Sequence, residues 1–251
     1  MRRWILIVVL AAAAGAASAQ TLLVAAAANL ATVEAPLKQA FTKANPGMTL
    51  AFTYGASGAL VTQILNGAPF QAFLSADRAF AQRLVDASLA VGPVQTFAVG
   101  KVVFLALKPL DLTRGLAVLL DPAVAQVALA NPDTAPYGKA AVEALMRAKL
   151  YDRVRAKLVL GQSVAQAVQF AVTTTGFGFA NKSALFTKEL LPFNQEGRYW
   201  FEVDQGLYAP MEQGFVVLKS AAALPEAQAF AAFLLSPEAQ KVFAASGYGP
   251  P

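Results

Sequence analysis

Tyr54-Gly55-Ala56-Ser57-Gly58-Ala59-Leu60 is the stretch whose reading decides the fold. The run before it, Met48 to Thr53, has the pattern of a half-buried strand. After it, Leu60, Ile64 and Leu65 recur at helical spacing. A glycine-flanked serine therefore sits where a strand hands over to a helix. The first N–H groups of a helix have no partner inside it, and the helix dipole is positive there. Such a junction suits an anion, although Gly-Ala-Ser-Gly alone also describes a plain tight turn.

Three more junctions of the same kind lie elsewhere in the chain. Thr21 to Ala27 is an apolar run of the sort buried on both faces of a sheet. It is followed by Ala28-Asn29 and a helical pattern through Leu30, Val33, Leu37 and Phe41, with Asn29 at the expected N-cap. Val127 to Ala130 reads as a strand, followed by a loop from Asn131 to Gly138 and a helix from Lys139 to Lys149. Leu158 to Leu160 reads as another strand, and Gly161-Gln162-Ser163 leads into a helix from Val164 to Val172.

Between the first pair of junctions and the second, Gly92-Pro93 reads as a turn. Thr96 to Leu107 reads as an extended crossing broken at Gly100-Lys101. Tyr208-Ala209-Pro210 reads as the return, and two closing helices start near Pro225 and Pro237. Strand and helix alternate throughout, which predicts an α/β protein of two lobes, each a mostly parallel sheet covered by helices. The expected division is residues 20–100 with 209–251 in lobe 1, and residues 101–208 in lobe 2. In open sheets of this kind ligands bind at the carboxyl ends of the strands. If the lobes face each other, the four helix starts converge on one cleft.

Composition narrows the chemistry. Arg2-Arg3, an apolar stretch from Trp4 to Ala14 and the small residues Ala17-Ser18-Ala19 predict a secretory signal peptide over residues 1–19. The sequence contains no cysteine, so disulfides, thiolate metal sites and cysteine nucleophiles are excluded. It contains no histidine, which removes a Ser-His-Asp triad and the commonest metal ligand. With Arg2 and Arg3 set aside, 18 basic residues stand against 15 acidic ones, a mild bias without clusters that argues against nucleic acid.

The four junctions offer donors: the Asn29 amide, the Ser57 and Tyr137 hydroxyls, and nearby backbone N–H groups. None of these positions is charged. A pocket of donors alone leaves the proton of a protonated oxyanion unpaired, so it favours fully deprotonated tetrahedral dianions. Asp133 is the one nearby carboxylate that would reverse this preference if it reached inward. Ser75-Ala76-Asp77 reads as a helix cap, and Asn181 as a turn residue.

Together these segments resemble the periplasmic molybdate-binding proteins of ABC-type importers. The resemblance is carried by Val24 to Leu30, Gly55 to Gly58, Gln63 to Pro69, Phe73 to Asp77, Asn131 to Gly138 and Ser163 to Ala167, in that order. It implies a class II-type, two-lobed periplasmic-binding-protein architecture with the ligand cleft between the lobes, closing over molybdate or tungstate. It implies oxyanion contacts from Asn29, Ser57, Tyr137 and Val164, the last through its backbone N–H, with Ala28 adding its own N–H. No cofactor and no directly ligated metal are implied, because the molybdenum is held as its oxyanion. The implied partner is the membrane permease of an ABC importer, the implied location is the periplasm, and the implied state is a monomer without enzymatic activity. Two departures stand out: many members have serine where this chain has Asn29, and many have a tyrosine where it has Asn181. The alternatives are the same fold binding sulfate or chromate, and a periplasmic hydrolase using Ser57.

Overall fold

In the computed structural model residues 20–251 are described, and the expected signal peptide at residues 1–19 lies outside them. The first apolar run forms β1 (Gln20–Ala27), whose Val24 to Ala27 are buried. A 3-10 turn, Ala28–Val33, leads into α1 (Glu34–Ala44). Then come β2 (Met48–Gly55), α2 (Ser57–Leu65), β3 (Ala72–Ser75), α3 (Arg78–Asp86) and β4 (Ala90–Gly100).

A single residue, Lys101, separates β4 from β5 (Val102–Ala106), which already belongs to a second sheet. That sheet is completed by β6 (Val127–Ala130), β7 (Leu158–Gly161), β8 (Phe177–Asn181) and β9 (Trp200–Glu202). Its helices are α4 (Pro136–Arg147), the single turn α5 (Tyr151–Val154) and α6 (Val164–Phe170), which runs on into a π-helical turn at Ala171–Thr175. The chain then returns to the first sheet as β10 (Met211–Leu218) and ends in α7 (Pro225–Leu234) and α8 (Pro237–Ala245).

The two sheets share one plan. The first is ordered β2-β1-β3-β10-β4 and the second β7-β6-β8-β5-β9. In each, four strands run one way and the fourth in order, β10 or β5, runs against them. The reversal follows from connectivity. The parallel strands end at the cleft, so a strand arriving from the other half starts at its cleft end and must run the opposite way.

The predicted turn at Gly92-Pro93 is not a turn. Both residues lie inside β4, an edge strand of its sheet. An edge tolerates proline because one side of the strand has no ladder to complete.

Apolar packing covers both faces of each sheet. On one face of the first sheet, Phe41 meets Phe230 and Phe233 edge-on, with ring centroids 5.6 and 5.3 Å apart. On the other face, Leu60, Phe73 and Leu84 are buried together. The core of the second half, around Phe104 and Leu145, also takes in Ala27, Ala28, Ala56 and Ala76 from the first half. The halves are therefore packed shut along the ends of β1, β2 and β3.

Candidate functional site

All five predicted contact residues line one small cavity at the junction of the halves. Ala28, Asn29 and Ser57 come from the first half, Tyr137 and Val164 from the second, and alanine, glycine and proline complete the wall. The cavity is about 10 Å3, roughly what one water-sized sphere needs, so its walls stand in the closed position.

Each residue is placed by the start of a helix. Ala28 and Asn29 open the 3-10 turn after β1, and Ser57 is the first residue of α2. Tyr137 follows Pro136 at the start of α4; the helix begins there, three residues earlier than the sequence pattern predicts. Proline fits because its missing N–H costs nothing in a first turn. Val164 opens α6, where the Ser163 side chain caps the N–H of Gln166 and leaves that of Val164 uncapped.

Two glycines allow the close approach. A Cβ on Gly138 would lie 2.0 Å from the Ala130 carbonyl oxygen, so only glycine lets α4 start this near β6. A Cβ on Gly58 would lie 3.1 Å from the Thr134 Cα, across the junction. In its place the Gly58 N–H donates to the Thr134 carbonyl at 2.9 Å, a direct bond between the halves.

The Ser57 hydroxyl is buried and accepts from the Ala76 N–H at 3.0 Å, which leaves its own hydrogen to donate. The Tyr137 phenol ends beside Gly100 and the Gln213 amide. Burial, with Tyr248 and Tyr208 nearby, holds its pKa well above the usual phenol range, so it remains a neutral donor.

Asn29 departs from expectation. It caps no helix: Ala27 holds the N-cap position, and no side chain bonds there. Its amide donates to Gln213 Oε1 at 2.9 Å and to the Tyr248 hydroxyl at 2.8 Å. Both amide hydrogens are thereby used within the protein. What Asn29 has left is its Oδ1, buried without a partner, and its main chain, because the first N–H groups of a helical turn have no partner inside it.

Asn181 lies outside the cavity; it donates to Ser183 Oγ at 2.6 Å and borders a neighbouring apolar groove. Asp133 and Lys139 are exposed, so neither puts a charge into the cavity wall. Asp77 caps α3 by accepting from the Phe80 N–H, as expected of a cap. Among the lining residues only Tyr137 is titratable, which leaves Ser57 without a base of suitable pKa. Among the described residues no group of acidic or histidine side chains could hold a metal ion.

Gln213, Tyr248 and Ser183 are the polar residues around the site that sequence reasoning missed. Gln213 carried one signal, as the single uncharged polar side chain in the strand Met211 to Leu218. Tyr248 and Ser183 carried none, because only the fold brings them to Asn29.

Comparison with known proteins gives the family and the fold. Residues 22–249 match the family model for bacterial extracellular solute-binding proteins. The molybdate-binding protein ModA of Rhodobacter capsulatus is 39% identical over 204 residues, 80% of this chain and 78% of that protein. Its counterpart in Azotobacter vinelandii is 37% identical over 223 residues, 87% of each. The solved Azotobacter vinelandii periplasmic molybdate-binding protein superposes with a TM-score of 0.84 at 30% identity, covering 92% of this chain and 99% of that one. The two-lobed α/β fold and these similarities, which run nearly the whole length from Leu22, place the chain in the bacterial extracellular solute-binding protein family, beside the molybdate-binding proteins.

Proposed function

We propose that this protein captures molybdate, and tungstate with it, in the periplasm and delivers it to the membrane permease of an ABC importer. One observation carries the reading: helix starts from both halves share a single closed cavity lined by uncharged groups. The anion is held by hydrogen bonds from the Ser57 and Tyr137 hydroxyls and from the main-chain N–H groups of Ala28, Asn29, Ser57 and Val164. Residues 20–100 with 209–251 form one lobe and 101–208 the other. They turn about the two crossings at Lys101 and Tyr208–Pro210, after residues 1–19 have been removed as a signal peptide. The protein works as a monomer, without a cofactor and without catalysing a reaction.

Neutral donors are sufficient in energy. Each hydrogen bond to a charged group contributes roughly 1.5–3 kcal/mol, so six gross roughly 9–18 kcal/mol before closure and desolvation. A net of about 8–12 kcal/mol corresponds to micromolar to nanomolar binding.

Isothermal titration with molybdate, tungstate, sulfate and phosphate tests the reading. Molybdate and tungstate should bind at micromolar concentrations or tighter, and hydrogen phosphate most weakly, since its proton meets too few acceptors. Sulfate binding more tightly than molybdate would move the assignment to the smaller oxyanion.

A further inference from the structure

Behind the cavity runs a chain of five buried polar side chains that the anion contacts do not explain: Gln213, Asn29, Tyr248, Ser183 and Asn181. Its hydrogens can be accounted for one by one. Gln213 donates to the carbonyls of Ala76 at 2.9 Å and Met211 at 3.3 Å, and so presents its Oε1 to Asn29. Asn29 donates to that oxygen and to the Tyr248 hydroxyl. Tyr248 donates to the Asn29 carbonyl at 3.1 Å and accepts from Ser183 Oγ at 3.0 Å. Ser183 accepts from Asn181 Nδ2. Turning the Asn29 amide over would set its oxygen against Gln213 Oε1, so the network admits one orientation.

The chain also crosses between the halves. Gln213, Asn29 and Tyr248 belong with the first sheet, because the tail carrying Tyr248 bridges Val99 of β4 through Gly249. Asn181 ends β8 of the second sheet, and Ser183 follows it in a 3-10 turn. The joint is thus Ser183, whose Oγ donates to the Tyr248 hydroxyl at 3.0 Å and makes a longer contact, 3.4 Å, to the Asn29 carbonyl. Tyr248 also fixes the main chain at Asn29, one of the turns that line the cavity. Gln213 stands where the β10–β4 register shifts, an irregularity of the kind that re-aims a side chain.

We propose that Tyr248 is a positioning residue for Asn29 and that its bond to Ser183 is a latch that sets how long the two halves stay shut over the anion. The proposal rests on the oxyanion-capture reading above. When the halves part, this bond is exchanged for water, so its contribution falls on release more than on capture.

The test is molybdate association and release by stopped-flow, in wild type, Ser183→Ala, Tyr248→Phe and the double variant, with the melting temperature of each unliganded protein. Ser183→Ala loses the bond to Tyr248 across the halves and the bond from Asn181 within the second half. Only the first changes on opening, so release should speed about 3- to 10-fold, with association within about twofold of wild type. Tyr248→Phe should release about 10- to 100-fold faster and narrow the preference for molybdate over sulfate, because Asn29 loses two of its bonds and keeps those to Gln213 and Thr32. The double variant should release no more than about twofold faster than Tyr248→Phe alone, since what Ser183 still contributes there is the longer contact to the Asn29 carbonyl. Release within about twofold of wild type in both single variants would overturn the latch, and so would effects that multiply in the double variant. If Tyr248→Phe does not fold, the release rate of Ser183→Ala decides. A wild type that binds no molybdate would remove the capture reading and this proposal together; a wild type that binds, with unchanged variants, would remove this proposal alone.

Discussion

The two hydroxyls of the cavity, on Ser57 and Tyr137, differ in what else they do, and this separates binding from stability. Ser57 Oγ satisfies the Ala76 N–H. Ser57→Ala should therefore weaken molybdate binding roughly 10-fold or more and also lower unliganded stability by about 1–3 kcal/mol, since a buried N–H loses its partner. The Tyr137 hydroxyl serves only as a donor to the anion. Tyr137→Phe should cost roughly 10-fold or more in affinity while leaving the unliganded melting temperature nearly unchanged. Calorimetric titration and thermal melting of both variants check the contrast. Tyr248 makes a pH prediction of its own, as burial pushes its phenol up to about 12 despite its bonds to Ser183 and Asn29. The unfolded chain loses this proton from about pH 10, and the folded one only near 12. The contribution is thus full below pH 10 and disappears as pH rises from 10 to 12. It amounts to about 3 kcal/mol, since each pH unit in that window is worth roughly 1.4 kcal/mol. Denaturant unfolding at pH 9 and 12 should show wild type losing roughly 2–3 kcal/mol more than Tyr248→Phe.

At the scale of elements, the start of α2 is a contact surface as well as a donor. Gly58 faces the Thr134 backbone of the other half, and a Cβ there would press on it at 3.1 Å when the halves are shut. Gly58→Ala should weaken molybdate binding by about 1–3 kcal/mol, the range of an overpacked contact, through incomplete closure. Unliganded stability should fall as well, because the Phe80 ring, at 2.8 Å the nearer neighbour, lies within the same half and is met whether the halves are open or shut. Titration and melting of Gly58→Ala separate the two effects. The strand-to-helix junctions were legible in the sequence because each pairs an apolar run with a helical period, a local pattern. The start of α4 was misplaced because Pro136 and Tyr137 interrupt the apolar period that marks a helix interior. Asn29 was misread as a cap for a different reason. Asparagine suits that role anywhere locally, and its real partners, Gln213 and Tyr248, lie 184 and 219 residues away in sequence. The reversed strands β10 and β5 were likewise hidden, since direction in a sheet depends on how the halves connect.

For the whole molecule, ligand binding should couple to folding. A ligand at about 1,000 times its Kd stabilises the folded state by roughly 4 kcal/mol. For a chain of this size that raises the melting temperature by roughly 8–16 °C. Thermal melting with and without molybdate measures the rise, and no shift at saturating molybdate and tungstate would count against capture of either. The two crossings lie side by side, and the Val102 N–H donates to the Tyr208 hydroxyl at 3.2 Å. Glu202 there holds both Lys101 and Lys182, at 2.9 and 2.7 Å. A joint tied in this way favours rotation of each half as a body over bending within a sheet.

The cavity wall carries no ionised side chain, and this has a consequence for the medium in which the protein can work. Dissolved salt weakens attraction between separated charges over a Debye length of about 10 Å at 0.1 M, but it scarcely touches short, enclosed dipole contacts. The grip on the guest should therefore be nearly the same in dilute water and in brine. Affinities measured in 10 mM and 1 M sodium chloride should agree within about threefold, so a cell moving between the two would keep its uptake threshold.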